Sequence, residues 1–244
     1  KVAIQTILKM AAGNGVVKVI VGKDGILSTP AASHLIRLNK ADGGFILSAS
    51  HNPGGIDEDF GIKFNGQNGG PAPENLTAKI FDATKTIAKF KTVSTAEINL
   101  NACGSPSLGA MEVQIVDPVE SYSALMETLF DFPAIRALFK GGFTMCFDAM
   151  HAVTGSYAKA ILEGALGATE GTVANGVPLE DFGKGHPDPN PIWAKTLMDL
   201  MMSSAAPDLG AASDGDGDRN MIVGRGAYVT PSDSLAILAA NAHL

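Results

Sequence analysis

Three aspartates alternate with glycines in one short stretch, and this spacing suits metal chemistry. Asp214, Asp216 and Asp218 are separated by single glycines, which permit a tight turn and leave the carboxylates unobstructed. Carboxylates held this close repel one another unless a cation neutralises them, and Mg²⁺ or Ca²⁺ prefers such oxygen ligands. Arg219 follows directly, and a guanidinium group binds phosphate oxygens in a fork. The loop therefore predicts a metal site at which phosphate also binds.

An EF-hand and a solvated acidic turn are the alternatives for this loop. An EF-hand needs glycine at its sixth position and glutamate at its twelfth, where this sequence has Arg219 and Arg225. The flanking residues also have the pattern of strands rather than helices. The EF-hand is excluded, whereas a solvated acidic turn without a metal stays open.

A second polar loop, residues 48–55, reads Ser-Ala-Ser-His-Asn-Pro-Gly-Gly. The proline fixes a turn and the glycines let the backbone approach a bulky group. An exposed Ser50 in such a turn can act as a nucleophile or a phosphoryl carrier, with His51 and Lys63 supplying positive charge and proton transfer. Ordinary turn chemistry is the alternative, because all of these residue types are common in turns.

Two familiar catalytic loops do not match residues 48–55. The nucleophile elbow of the α/β-hydrolases has glycines where this sequence has Ser48 and Asn52. A Walker loop would continue from Gly55 with Gly-Lys-Ser/Thr, which is absent here. Acyl transfer and P-loop chemistry both lose support.

Both loops directly follow a segment with the pattern of a buried strand, residues 44–48 and 209–213. Helical and strand patterns alternate along the chain, which predicts an α/β protein with mixed, mostly parallel sheets. The pattern lapses over residues 93–109 and then restarts, so two such units are expected to meet near residues 110–125. In open α/β sheets, ligands bind at the carboxyl ends of the strands.

Composition narrows the function classes. A chain of 244 residues that is 45% hydrophobic can bury a real core, and its net charge of −7 argues against a general nucleic-acid binder but not against an anionic substrate. The longest apolar stretches fall short of the roughly 18–20 residues of a membrane span.

Cys103 and Cys146 lie far apart in the sequence, in no spacing typical of a metal or redox site. This favours a reducing, cytoplasmic setting over a disulfide-bonded protein.

The chain begins inside helical periodicity and ends on an apolar helical pattern, both without capping residues. Natural domains more often begin and end in polar tails. We therefore expect the sequence to be a piece of a longer protein.

The two loops and the segments around them resemble the α-D-phosphohexomutases. Residues 48–55 and 59–65 resemble the phosphoserine segment of that family, and residues 214–219 resemble its metal loop. Supporting segments follow in family order over essentially the whole chain, at residues 25–31, 68–73, 147–151, 178–183, 186–190 and 231–234. Within the superfamily the resemblance is to the phosphoglucomutases, including the parafusin-like eukaryotic forms.

The resemblance implies the front part of a four-domain fold. Residues 1–121 would be domain I, incomplete at its N-terminus and carrying the phosphoserine loop. Residues 122–244 would be domain II, carrying the metal loop. The two would be similar three-layer α/β domains. The sugar-recognition loop of the third domain and the phosphate loop of the fourth are missing from the sequence, so this stretch alone is expected to be inactive.

The resemblance also implies a reaction, the reversible conversion of glucose 1-phosphate into glucose 6-phosphate. Ser50 would carry the phosphoryl group, and glucose 1,6-bisphosphate would be the intermediate and activator. Mg²⁺ would be held by Asp214, Asp216, Asp218 and the phosphoryl oxygen on Ser50.

The remaining roles come from the same resemblance. Lys63 would be a general acid or base, His51 would lie beside the phosphoserine, and Arg219 would contact phosphate, so that Lys63 and Arg219 also bind the substrate. The expected partner is a phosphorylated hexose, with no nucleic acid and no membrane span, and the protein is expected to be a monomer. Two alternatives stay open: a phosphomannomutase-like mutase, and a parafusin-type phosphoprotein with a role in signalling or exocytosis.

Overall fold

Helices and strands alternate along the chain, as the hydrophobic periodicity predicts. A computed structural model describes residues 1–242. The helices are α1 (Val2–Gly13), α2 (Thr29–Leu38), α3 (Glu74–Thr86), α4 (Glu120–Leu129), α5 (Phe132–Lys140), α6 (Thr154–Ala158, continued by a π-helical stretch, Lys159–Ala165), α7 (Lys195–Met201) and α8 (Pro231–Asn241). The strands are β1 (Lys18–Gly22), β2 (Gly43–Leu47), β3 (Ile62–Gly66), β4 (Ser107–Leu108), β5 (Met111–Val116), β6 (Met145–Asp148), β7 (Val173–Ala174), β8 (Leu209–Ser213), β9 (Asn220–Gly224) and β10 (Ala227–Val229).

The chain divides into two compact units. The first comprises residues 1–27, 31–45 and 64–121, and the second comprises residues 28–30, 46–63 and the chain from Tyr122 onward. The short stretches 28–30 and 46–63 belong to the second unit because they contact its loops, as the functional site shows below. Within the described part of the chain, no helix is long and apolar enough to cross a bilayer.

The first unit is organised by the sheet β1-β5-β4. Strands β1 and β5 pair in parallel, with Val21 opposite Ile115, whereas β4 pairs with β5 in the antiparallel direction. Buried and half-buried residues alternate along β5, as expected of a strand with one face on the core. That core contains Leu8 of α1, and further buried members are Val21, Leu100, Leu108, Met111, Val113 and Ile115.

The second unit is organised by the sheet β10-β9-β8-β6-β7. Strands β6, β7 and β8 pair in parallel, and the hairpin β8-β9-β10 adds two antiparallel pairs at one edge. The predicted α/β class with mixed sheets is therefore confirmed, with antiparallel pairing prominent at the edges. Strand β8 is buried along most of its length, and its carboxyl end leads directly into the acidic loop.

Strands β2 and β3 form a separate two-stranded sheet. Beyond the end of β2, Ser48 and Gly61 exchange both backbone hydrogen bonds, at 3.0 and 3.1 Å, which prolongs the pairing. This sheet matters for the site because the serine loop leaves from β2 and Lys63 lies on β3. The hydrophobic pattern predicted β2 but not β3, whose residues include an exposed Ile62 and a glycine.

Candidate active site

The acidic loop lies between β8 and β9 and is built around one buried carboxylate. Asp214 is 0% exposed, and its Oδ1 accepts hydrogen bonds from the backbone N–H groups of Gly217, Asp218 and Arg219 at 2.9–3.1 Å. Gly217 has a φ of +80°, in the left-handed region that favours glycine. The turn is therefore fixed by the first aspartate and permitted by the last glycine.

The three aspartates converge, and two of their buried oxygens are unsatisfied. One oxygen from each of Asp214, Asp216 and Asp218 lies within 4.8 Å of the others. Asp214 Oδ2 and Asp216 Oδ1 are buried and have no hydrogen-bond partner among the described residues. Buried anionic oxygens without donors are costly unless a cation binds them. The residues thus fit a hard divalent cation, because one oxygen of Asp214 and one of Asp216 have no other partner among the described residues.

The electrostatics of the loop agree with this interpretation. Burial, together with the neighbouring charges of Asp216 and Asp218, raises the pKa of Asp214 to about 7, against the lowering effect of the backbone hydrogen bond from Arg219. Burial also acts to raise the pKa of Asp216, but hydrogen bonds from Lys63 and Thr29 hold that pKa below its ordinary value. The site therefore holds ionised Asp216 next to a carboxyl group that retains its proton near neutral pH without a metal.

Asp216 is held by two donors on the same oxygen. Lys63 Nζ and Thr29 Oγ1 both donate to Asp216 Oδ2, each at 2.6 Å, and the Thr29 N–H donates to the Asp216 carbonyl at 2.8 Å. Lys63 Nζ also lies 3.9 Å from Asp218 Oδ2. The other oxygen of Asp216 is the unsatisfied one, so the carboxylate can hold a lysine and a cation at once.

The serine loop lies directly against the acidic loop. Ser50 has a φ of +58°, rare for a residue with a side chain, and its N–H donates to Ser48 Oγ at 2.7 Å. A β-carbon at Gly215 would collide with the Ser50 carbonyl oxygen, so the two backbones are in contact there. Ser50 Oγ is buried and has no hydrogen-bond partner among the described residues. A hydroxyl in this state is available for chemistry.

His51 and Arg219 join the two loops on their exposed side. Arg219 Nη1 contacts His51 Nδ1, and Arg219 Nε lies 3.9 Å from Asp218 Oδ1. About half of the Arg219 side chain is exposed. The guanidinium group therefore stands at the rim of the site, with donors left for an anion from solution.

All residues that the sequence singled out as a site are brought into the second unit, around the two loops: Ser50, His51, Lys63, Asp214, Asp216, Asp218 and Arg219. Sequence reasoning missed the contact of Thr29 with Asp216. Thr29 directly before Pro30 indicates only the start of a helix, and a partner 187 positions away leaves no local pattern. The arrangement combines a free hydroxyl, a metal-ready carboxylate cluster and two cations on an α/β scaffold, and it is suited to phosphoryl transfer.

Comparison with known proteins places the chain in one family. Residues 1–91 match the phosphoglucomutase/phosphomannomutase alpha/beta/alpha domain I, and residues 120–226 match domain II of the same family. The chain belongs to the phosphoglucomutase/phosphomannomutase family and carries its domains I and II. The predicted family resemblance is confirmed.

Several proteins of high sequence identity to this chain are phosphoglucomutases. A phosphoglucomutase of Rhizobium radiobacter is 59% identical over 99% of this chain and 44% of its own length. A chloroplastic phosphoglucomutase of Arabidopsis thaliana is 56% identical over 99% of this chain and 39% of its own length. The chain thus spans well under half the length of these relatives.

A solved structure shares the fold closely. The crystal structure of the exocytosis-sensitive phosphoprotein parafusin, a phosphoglucomutase from Paramecium, superposes on 98% of this chain with a TM-score of 0.93 at 45% identity. The match covers 46% of the parafusin chain. The predicted fold, the N-terminal portion of a multi-domain phosphohexomutase, is confirmed.

Proposed function

We propose that this protein acts as a phosphoglucomutase, interconverting glucose 1-phosphate and glucose 6-phosphate through a phosphorylated Ser50 and a glucose 1,6-bisphosphate intermediate. The observation that carries the proposal is the contact between the two loops. The Ser50 backbone lies against Gly215, and the Ser50 hydroxyl is buried without a hydrogen-bond partner among the described residues, as are one oxygen of Asp214 and one of Asp216. The high identity to phosphoglucomutases over nearly the whole chain supports the same function.

Asp214, Asp216 and Asp218 would hold Mg²⁺ together with the phosphoryl oxygen on Ser50. The bound ion would neutralise the charge that develops on the transferring phosphoryl group. The unsatisfied oxygens of Asp214 and Asp216 are the two ligands that the fold has already freed from other partners. Asp218, which is more exposed, would complete the set from the rim.

Lys63 would serve as the general acid or base and would also bind the substrate. Its Nζ is held by Asp216 and remains partly exposed, so it can reach a sugar hydroxyl entering from solution. The Asp216 contact fixes its position and leaves two of its three protons free to donate. A proton held this way can pass to or from the hydroxyl that gives or takes the phosphoryl group.

Arg219 would bind the phosphate group, and His51 would lie beside the phosphoserine. Arg219 is anchored by His51 on one side and approaches Asp218 on the other, while about half of it faces solvent. This geometry presents a guanidinium fork to an incoming phosphorylated hexose. Charge neutralisation and in-line positioning account for most catalysis of phosphoryl transfer, and these residues supply both.

The wider assignments are proposals of the same kind. We assign residues 1–121 and 122–244 to domains I and II, and we expect a monomer without a nucleic-acid partner. Both cysteines are free, which suits a cytoplasmic, reducing location. We also propose that residues 1–244 alone do not turn over the substrate. Assaying them beside the full-length protein tests this, because equal rates would contradict it.

The function itself is tested by assaying the full-length protein with glucose 1-phosphate, Mg²⁺ and a trace of glucose 1,6-bisphosphate. We expect glucose 6-phosphate to form, and the S50A variant to lose this activity. Faster turnover of mannose 1-phosphate would favour a phosphomannomutase instead. Phosphorylation of Ser50 without any turnover would favour the phosphoprotein role, and either result would overturn the proposal.

A further inference from the structure

One aromatic side chain touches both loops of the site. Phe182 lies in a short 3₁₀ turn, Phe182–Lys184, that follows α6 and β7 in the chain. A β-carbon built on Gly54 of the serine loop would come within 2.8 Å of its ring carbon Cε2. A β-carbon built on Gly215 of the acidic loop would come within 3.1 Å of its Cζ. The ring therefore packs on the backbone of both loops, at positions where only glycine leaves room.

The backbone of Phe182 is held in an unusual conformation. Its φ is +52°, in the left-handed region, where a bulky side chain is an outlier. Such a conformation persists only where the surroundings fix it, and it is concentrated at functional sites. Among the described residues, Phe182 is not a member of the buried apolar clusters of this unit. Packing of the core therefore does not explain why the ring is placed here.

The turn that carries Phe182 is anchored to the sheet. The Phe182 N–H donates to the Leu179 carbonyl at 3.1 Å, and the Leu179 N–H donates to the His151 carbonyl at 2.9 Å. The His151 N–H in turn donates to the Asn175 carbonyl at 3.0 Å, just after β7. Asp181 closes the turn by accepting from the Gly183 N–H at 3.0 Å. The ring is thus connected to strands β6 and β7 through a short series of backbone hydrogen bonds.

We propose that Phe182 is a positioning residue. It holds the serine loop against the acidic loop, so that Ser50 keeps its position relative to the metal that the acidic loop would bind. The inference rests on the proposed function, because it gives Ser50 a part in phosphoryl transfer. The ring acts through Gly54 and Gly215 and touches no reacting atom. Ser50 itself is held at a φ of +58°, so its loop needs support from outside to keep the hydroxyl aimed.

The first test replaces the ring in the full-length protein. We expect F182A to lower kcat for glucose 1-phosphate by about tenfold to a hundredfold, because a small displacement of a reacting group has effects of this size. KM should change by less than about twofold, since the ring is not a substrate contact. F182L, which keeps apolar bulk, should recover most of the rate. F130A, which removes an exposed ring from the same unit, should behave as the wild type.

The second test examines the contact itself by a double-mutant cycle. G54A places a methyl group where the ring lies, so alone it should also lower kcat. In the F182A background the closest contact is removed and the Glu180 carbonyl oxygen, 3.2 Å from the added carbon, remains, so G54A should cause a clearly smaller loss than it does in the wild type. Fully additive losses would overturn the inference. If F182A does not fold, the G54A variant tests the inference by itself. A wild-type kcat, together with wild-type protection of residues 48–55 from amide hydrogen exchange, would then overturn the inference.

The third test does not depend on turnover. Adding Mg²⁺ to the wild type should slow amide hydrogen exchange in residues 48–55 as well as in residues 214–219. In F182A the slowing should persist in residues 214–219 and disappear in residues 48–55. A wild-type protein without turnover would defeat the proposed function but leave this comparison intact. Equal slowing of both loops in wild type and F182A would defeat the positioning role.

Discussion

Lys63 Nζ lies 2.6 Å from Asp216 Oδ2, the same oxygen that accepts a hydrogen bond from Thr29, while Asp216 Oδ1 is buried without a partner. One carboxylate is thereby divided between two tasks. Asp216 Oδ2 orients Lys63, and Asp216 Oδ1 remains available to bind a cation. Because both tasks use one side chain, a change in any of these partners should alter metal binding and proton transfer together.

Two substitutions of Lys63 distinguish the effect of its positive charge from its role in proton transfer. K63M should lower kcat by about a hundredfold or more, the usual loss for a general acid or base. It should also destabilise the metal-free protein by about 1–2 kcal/mol, since ionised Asp216 loses a partner that is itself one-third exposed. K63R should restore the stability but not the rate, because a guanidinium group does not give up its proton.

Steady-state kinetics and urea unfolding measure the two effects of Lys63 separately. K195M is the matched control, because Lys195 pairs with Asp199 on the exposed face of α7. It should leave both quantities unchanged. A K63R variant with the wild-type kcat would rule out proton transfer by Lys63.

Thr29 should matter for metal affinity although it is not a ligand. T29V removes the hydroxyl that donates to Asp216 Oδ2, so the carboxylate loses one of its two fixed donors. Loss of a hydrogen bond to a metal ligand typically weakens metal binding by about tenfold to a hundredfold. T29S keeps the hydroxyl and should bind Mg²⁺ nearly as well as the wild type. Calorimetric titration with Mg²⁺ compares the three proteins, and equal affinity in T29V would contradict the role.

The raised pKa of Asp214 predicts how stability depends on pH without a metal. Folding raises this pKa from its ordinary value of 3.8 to about 7, so the folded protein binds the proton more tightly. The resulting stabilisation is complete below about pH 4 and is lost as the pH rises through 7. D214N, which keeps the oxygen that accepts the backbone N–H groups, should therefore be more stable than the wild type at pH 8, by on the order of a few kcal/mol.

Urea unfolding in the presence of EDTA at pH 5 and pH 8 checks this difference. Mg²⁺ should reverse the order at pH 8, because it stabilises the wild type and finds one carboxylate fewer in D214N. D199N changes an exposed aspartate of α7 and should show neither effect. A D214N variant that is no more stable than the wild type at pH 8 would show that Asp214 is ionised without cost.

Local spacing in the sequence was sufficient to predict the acidic loop. Asp214, Asp216 and Asp218 converge within 4.8 Å because glycines between them permit one turn, which is a local property. The serine loop was predicted for the same reason, since it follows the apolar strand β2. Lys63 was singled out as a nearby cation, but its strand, β3, was not predicted, because the burial pattern of that strand has no clear alternation.

Contacts that cross the chain were not predictable in this way. Thr29 has a helix-cap pattern, yet its hydroxyl donates to Asp216. Phe182 lies in one of the segments that resemble the family, residues 178–183. The sequence around it contains no pattern that predicts its contact with Gly54. The apolar spacing of α3 continues to Phe90, yet the helix ends at Thr86, because the backbone at Ile87 is already extended. Tertiary contacts, rather than local preference, decide the positions of Thr29 and Phe182.

The close approach of the two loops makes Gly215 the most sensitive glycine of the site. A β-carbon there would collide with the Ser50 carbonyl oxygen, which is backbone and cannot yield as the end of a flexible side chain can. G215A should lower the free energy of unfolding by about 1–3 kcal/mol, as overpacking does. It should also reduce phosphorylation of Ser50 by glucose 1,6-bisphosphate, measured by intact mass. G224A is the control, since its nearest atom would lie 3.7 Å away, an ordinary contact. Wild-type stability and phosphorylation in G215A would mean that the loops separate without consequence, and the proposed assembly of Ser50 with the acidic loop would fail.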